Sequence, residues 1–265
     1  MGQGGNAMDY DDAYENGGHI PDGDSYPPRW VAEAQAFRKA ARAELDIPYG
    51  SGPRQQMDIF YPEGDIHGLM VFVHGGYWKA RDRKDWSAFA AGGIARGYAV
   101  AMPSYTLAPE ARISQMTAEI AAAIDKAASK VAGPICLAGH SAGGHLVARM
   151  LCGDVRFASQ DRVTRCVPIS PVSDLREMMK TSMNDVLGLD QAEAEAESPM
   201  LLRKSSDAVT TVWVGGAERP VFIDQARWLA EAWDVDLVVE PERHHFDVID
   251  GLCDPQSAMM RAILG

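Results

Sequence analysis

One serine lies between two glycines at the point where an apolar run ends and a helical segment begins. Residues 134–138 are short and uncharged, as in a strand buried on both faces, and residues 144–151 are typical of a helix. Gly139-His140-Ser141-Ala142-Gly143 therefore predicts a sharp turn, since glycines let strand and helix approach closely. A serine held in the strained backbone of such a turn is typical of a catalytic nucleophile, although the pentapeptide alone also fits an ordinary glycine-rich turn.

A second buried strand, residues 68–73, leads directly into His74-Gly75-Gly76-Tyr77-Trp78. Acyl transfer places negative charge on the former carbonyl oxygen, and backbone amides aimed at that oxygen stabilise it. We expect the amides of Gly76, Tyr77 and Ala142 to form this oxyanion hole, with Gly75 allowing the bend. Taken by itself, the His-Gly-Gly sequence would indicate only a turn.

Together these two motifs resemble the arylformamidase (kynurenine formamidase) branch of the α/β-hydrolase fold, close to the hormone-sensitive-lipase type of esterase. The resemblance extends from about residue 45 to the C-terminus. The stretch Tyr105-Thr106-Leu107-Ala108-Pro109-Glu110 is similar to a motif of those esterases, with Thr106 in place of the usual Arg. The resemblance implies an α/β fold of about eight mostly parallel strands with helices on both faces. It also implies that a catalytic acid and then a histidine follow the serine along the chain.

Two carboxylates are candidates for the acid. The strand-like run 210–216 opens onto Glu218, which we expect to accept the N–H of the catalytic imidazole. Glutamate is longer than the aspartate that is usual here. The alternative is Asp224, which falls in a run with helical spacing of its apolar residues.

The histidine follows the alternating run 236–240, which predicts the last strand. The family places its catalytic histidine directly before a phenylalanine, so the resemblance selects His245, with His244 as the alternative. We further expect Trp78 and His140, which belong to the two motifs, to line the substrate pocket.

The chain is predicted to form one domain with two additions. Residues 1–42 form an N-terminal extension that could cover the pocket, and residues 43–265 form the hydrolase domain with a small cap-like insertion at 173–206. The pattern leaves open which of the two closes the pocket. Helices are predicted over 30–42 and 84–96, and another along the stripe of Ile113, Met116, Ile120 and Ile124.

Composition restricts the partners. A formal net charge of −12 disfavours nucleic acid and anionic membranes, and 46% hydrophobic residues support a buried parallel sheet. The four cysteines have neither disulfide nor metal-site spacing, which favours a reducing compartment. We expect a cytoplasmic protein without metal or cofactor, since no signal sequence or membrane-spanning run is visible. The oligomeric state is not indicated.

The interpretation that follows is a serine hydrolase acting on a small acyl compound through Ser141, His245 and Glu218. The resemblance favours an N-formyl aromatic amine such as N-formylkynurenine as substrate. A small carboxylesterase or thioesterase is the alternative, because the same catalytic groups serve those reactions. A ligand-binding protein that kept the hydrolase scaffold is a third hypothesis, from a different class.

Overall fold

A central eight-stranded sheet organises the computed structural model, which describes residues 8–265. The strands are β1 (Ala43–Pro48), β2 (Gln56–Phe60), β3 (Gly68–Val73), β4 (Tyr98–Pro103), β5 (Ile135–His140), β6 (Val163–Ile169), β7 (Val209–Gly215) and β8 (Asp236–Glu240). Their order across the sheet is β1-β2-β4-β3-β5-β6-β7-β8. β2 is antiparallel to both β1 and β4, and all the other pairs are parallel. The expected mostly parallel α/β sheet is therefore confirmed.

Helices cover both faces of the sheet. They are α1 (Tyr10–Tyr14), α2 (Tyr26–Ala40), α3 (Ala91–Ala95), α4 (Ile113–Lys130), α5 (Ala142–Arg149), α6 (Asn184–Leu187), α7 (Gln191–Ala196), α8 (Pro220–Trp233) and α9 (Ala258–Leu264). Successive residues of β3 show how the sheet separates two cores. Leu69, Val71 and Val73 pack with α4, α5 and α8, whereas Met70 and Phe72 pack with α2 and α9. Alternation along a strand thus supplies apolar side chains to both layers.

The segment 84–96 departs from the expected single helix. It contains two 3-10 turns, Arg83–Asp85 and Ser87–Ala90, followed by the short α3. The chain packs closely in α3, where a Cβ on Gly92 would lie 2.3 Å from the carbonyl oxygen of Leu252. Helix α2 also begins earlier than expected, at Tyr26. These differences leave the sheet unchanged.

The topology brings the sequence motifs together. Parallel strands end at the same edge of a sheet, so the loops after β3, β5, β7 and β8 meet there. The N-terminal segment and the insertion, which contains α6 and α7, reach this edge as well. Within residues 8–265, no helix combines the length and the apolar character needed to cross a membrane.

Candidate active site

Ser141 occupies the strained turn that the sequence predicts. β5 ends at His140, α5 begins at Ala142, and Ser141 between them has φ 57° and ψ −117°. Its backbone N–H donates to the carbonyl oxygen of Ile169 at 2.8 Å, which helps to hold this conformation. Gly143 is required by close approach, because a Cβ there would lie 2.0 Å from the carbonyl oxygen of Val73. The position of Ser141 is therefore set by contact between β3 and the start of α5.

His245 and Glu218 form a short, buried contact. The Nδ1 atom of His245 lies 2.6 Å from Oε2 of Glu218, and both side chains are almost completely buried. The other carboxylate oxygen accepts hydrogen bonds from the Ser170 hydroxyl at 2.5 Å and from the Gly215 amide at 2.8 Å. This arrangement favours a proton on Nδ1, so that Nε2 is left as the acceptor of the ring. His245 and Ser141 line the same cavity.

The two alternative residues are engaged elsewhere. Asp224 lies on α8 and forms an ion pair with Arg227 at 2.9 Å on a partly exposed surface. His244 accepts backbone N–H groups of Phe246 and Asp247 at Nδ1, and its Nε2 lies 3.0 Å from the Tyr26 hydroxyl. The geometry thus pairs Glu218 with His245 and leaves Asp224 and His244 outside the pair.

The loop after β3 lies directly against Ser141. A Cβ on Gly75 would be 3.1 Å from the Cβ of Ser141. Gly76 has φ 118°, and any side chain there would also collide with the carbonyl oxygen of Ala80 at 2.3 Å. Within residues 8–265, the amides of Gly76, Tyr77 and Ala142 donate to no protein acceptor. Amides without partners beside a nucleophile are available to a substrate oxygen.

An aromatic contact between His74 and Tyr105 supports this loop. The His74 ring stacks on Tyr105 at a centroid distance of 4.7 Å, and the Tyr105 hydroxyl donates to the His74 carbonyl oxygen at 3.2 Å. Burial lowers the pKa of His74 to about 4, so the ring is neutral near pH 7. The family-like stretch that begins at Tyr105 is therefore in contact with the loop after β3.

The two predicted pocket residues differ in their positions. Trp78 is fully buried and does not line the cavity, since its indole N–H points into the protein and donates to His145 at 3.3 Å. The left-handed backbone at Tyr77 and Trp78, with φ 49° and 55°, accompanies this inward direction. His140 does line the cavity, with its ring 4.6 Å from that of His245. Burial lowers the pKa of His140 well below its ordinary value, which keeps the ring neutral.

The cavity above Ser141 has a volume of about 460 Å³. Aromatic side chains form one wall, namely Trp30, Trp86 and Phe246. Residues of the N-terminal segment (Asp11, Tyr14, Glu15, Asn16 and Gly17) and of the insertion (Ser182 and Met183) line other parts. Both additions therefore reach the cavity, and Trp30 on α2 belongs to the N-terminal extension. No motif in residues 11–17 predicts that they line the cavity.

No cluster suited to a metal ion is present in the described chain: among residues 8–265, no three His, Cys, Asp or Glu side chains are grouped as ligands. All four cysteines are unbridged thiols.

Comparisons with known proteins identify the family. A family model described as the alpha/beta hydrolase fold matches residues 70–245. The kynurenine formamidase of Drosophila melanogaster is 31% identical over 225 residues, which cover 77% of this chain and 75% of that protein. The kynurenine formamidase of Salmo salar is 26% identical over 245 residues, covering 86% and 83% of the two chains.

Two solved structures are similar to this chain. A crystal structure from Silicibacter sp. tm1040, provisionally named a thioesterase, is 53% identical with a TM-score of 0.95, covering 98% of this chain and all of that one. Esterase B from Lactobacillus rhamnosis shares the fold with a TM-score of 0.66 at 19% identity, over 85% of this chain and 86% of that chain. The chain therefore belongs to the α/β-hydrolase family and is a hydrolase enzyme of the branch that includes the kynurenine formamidases.

Proposed function

We propose that this enzyme is a serine hydrolase in which Ser141 attacks a carbonyl carbon. The observation that carries the proposal is the 2.6 Å contact between His245 and Glu218 in the cavity that also contains Ser141. His245 accepts the hydroxyl proton of Ser141 and returns it to the leaving group. Glu218 orients the ring and stabilises the imidazolium that forms during attack.

The oxyanion is held by backbone amides. The carbonyl oxygen of the substrate becomes negative as the bond to Ser141 Oγ forms, and the amides of Gly76, Tyr77 and Ala142 donate to it. Collapse of this intermediate expels the protonated leaving group and leaves an ester on Ser141. Water, deprotonated by His245, then attacks the ester and releases the acid together with free enzyme.

The substrate proposed is an N-formyl aromatic amine of the N-formylkynurenine type. Similarity to curated kynurenine formamidases supports it, and so does the wall of Trp30, Trp86 and Phe246, which offers flat apolar surfaces to an aromatic leaving group. Formyl is the smallest acyl group and needs little space around the carbonyl carbon.

A small carboxylesterase or thioesterase is the second candidate. The 53% identical structure from Silicibacter carries a thioesterase name, and its identity to this chain exceeds that of the formamidases. The groups described above would serve ester and thioester cleavage equally well, so the acyl and leaving groups decide between the two.

One comparison of substrates tests the proposal. Purified enzyme is assayed for kcat/KM on N-formylkynurenine, on nitrophenyl esters from acetyl to octanoyl, and on the matching thioesters, with Ser141→Ala as the background. We expect the formamide to be preferred and the esters to decline steeply beyond acetyl. Preference for butyryl or longer groups would assign the enzyme to the second candidate. Lack of any turnover and of any covalent labelling by a fluorophosphonate would favour the binding-protein hypothesis.

A further inference from the structure

The side chain of Tyr77 connects the loop after β3, residues 74–78, to the N-terminal segment, residues 10–17. Its hydroxyl donates to the backbone carbonyl oxygen of Tyr14 and accepts a hydrogen bond from Nδ2 of Asn16 at 2.9 Å. Tyr14, Asn16 and Tyr77 all line the catalytic cavity. Tyr77 is therefore tied, through its own hydroxyl, to a segment more than sixty positions earlier in the chain.

The loop needs support of this kind. Tyr77 and Trp78 have φ values of 49° and 55°, a left-handed conformation that is unfavourable for residues with a Cβ. Such backbone persists only where surrounding contacts hold it. The indole of Trp78 is anchored inside the protein on His145, and the phenol of Tyr77 is anchored outward on the N-terminal segment.

The N-terminal segment is itself firmly attached. The hydroxyl of the completely buried Tyr14 donates to Glu177 at 2.5 Å and accepts from Gln225 at 2.7 Å. Asp12 forms an ion pair at 2.6 Å with Arg219, the residue directly after Glu218. The segment thus contacts the insertion, helix α8 and the loop that carries the carboxylate paired with His245. It can serve as a fixed anchor for the Tyr77 hydroxyl.

The hydroxyl is a dependable donor. Burial raises the pKa of Tyr77 far above its ordinary value, so the group stays protonated at every pH at which the enzyme would be assayed.

We propose that Tyr77 is a positioning residue whose hydroxyl, bound to Tyr14 and Asn16, holds its own backbone amide in place to donate to the oxyanion. The N-terminal segment is then a part of the catalytic apparatus and does more than cover the cavity. This inference rests on the proposed serine mechanism and adds to it the residues that set the oxyanion hole.

The test uses Tyr77→Phe, which removes the hydroxyl and keeps both the ring and the amide. The readout is the rate of Ser141 phosphonylation by a fluorophosphonate, which needs the oxyanion hole but no knowledge of the natural acyl group, together with kcat and KM on a substrate that is turned over. We expect phosphonylation and kcat to fall by about ten- to a hundredfold, because small misplacements of catalytic groups have effects of this size. KM should change by less than about threefold, since ground-state binding contacts remain.

Two further variants sharpen the result. Asn16→Ala removes one of the two hydrogen bonds while leaving Tyr77 intact, so a smaller decrease is expected, and the double variant should be no slower than Tyr77→Phe alone. Tyr61→Phe is the matched control. The Tyr61 hydroxyl donates to Glu44 at a distance of 2.6 Å, and neither residue lines the cavity. It should react at the wild-type rate.

The possible failures are distinguishable. If wild type is not labelled at Ser141, the serine mechanism itself is refuted. If wild type is labelled and both Tyr77→Phe and Asn16→Ala react within twofold of it, the positioning role is refuted. An increase in KM at constant kcat would also refute it, because the segment would then only bind substrate. Should Tyr77→Phe fail to fold, Asn16→Ala decides by the same criteria.

Discussion

The indole N–H of Trp78 donates to Nδ1 of His145 at 3.3 Å, while Nε2 of His145 lies 2.7 Å from the carbonyl oxygen of Glu197. Nδ1 acts as the acceptor, so the proton of the neutral ring is on Nε2, where it is donated to Glu197. Burial lowers the pKa of His145 to about 3, which keeps the ring in this form. Because His145 follows Ser141 by one turn of α5, the helix that begins directly after Ser141 also supports the loop after β3.

Replacing His145 should therefore affect both stability and turnover. His145→Leu leaves the indole N–H and the Glu197 carbonyl without partners, and each buried group stranded in this way costs about 1–3 kcal/mol. His145→Asn places an amide oxygen close to the position of Nδ1 and should recover part of the loss. Urea denaturation and kcat measure the two effects. Equal stability and activity of the Leu variant and wild type would show that the contact is unimportant.

Ser141→Ala should abolish turnover without unfolding the protein. Loss of the nucleophile from such a triad lowers kcat on the order of a million-fold, because the background that remains comes from binding and the oxyanion hole. Mass spectrometry of the wild type after fluorophosphonate treatment should show one adduct, on Ser141. A variant with more than about a tenth of wild-type activity, or an adduct on another residue, would overturn the assignment of the nucleophile.

The two carboxylates should differ sharply when each is converted to its amide. Glu218→Gln removes the negative charge beside His245 and should lower kcat by several orders of magnitude, as in the serine protease triad, where the corresponding change costs about ten-thousand-fold. Asp224→Asn is the matched control, since it removes only a partly exposed ion pair with Arg227. Steady-state kinetics of the two variants decide between them. The opposite ranking would assign the acid to Asp224.

Unfolding should become easier as the pH falls below about 6.5. His74, His140 and His145 are buried with lowered pKa values, about 4 for His74 and about 3 for His145, while in the unfolded chain they take up protons near pH 6.5. The unfolded state therefore binds more protons in this range, and stability present above pH 6.5 is lost as the pH falls towards the folded-state pKa values. Each histidine contributes at most about 1.4 kcal/mol per pH unit.

Denaturation of two variants between pH 7 and 4.5 checks this dependence. His145→Asn should show a shallower decrease, since one of the three proton-binding groups is gone. His67→Gln changes a histidine on the surface and should retain the wild-type slope. Identical slopes for His145→Asn and wild type would exclude His145 as a source of the acid sensitivity.

Local patterns in the sequence determined the sheet and the turn that carries Ser141. A strand buried on both faces is recognisable because nearly all of its residues are apolar, as in β3 and in β5 before His140. The glycines around Ser141 stand where a Cβ would collide with neighbouring backbone. The family resemblance, and not the pattern itself, predicted that an acid and then a histidine follow Ser141, and Glu218 and His245 do follow β7 and β8, which end at the same edge of the sheet as β5. These features are recognisable from residues close together in the chain, although the contact that requires Gly143 is with Val73 in a distant strand.

Contacts between distant segments were decided only by the tertiary structure. Pattern left Glu218 and Asp224 both available, and only the folded chain brings Glu218 to 2.6 Å from His245. The direction of Trp78 into the protein depends on an acceptor on α5, and the bonds of Tyr77 depend on a segment with no recognisable motif. The physical reason is that side-chain direction and hydrogen-bond pairing follow from packing among elements far apart in sequence, whereas periodicity records only which face of an element is buried.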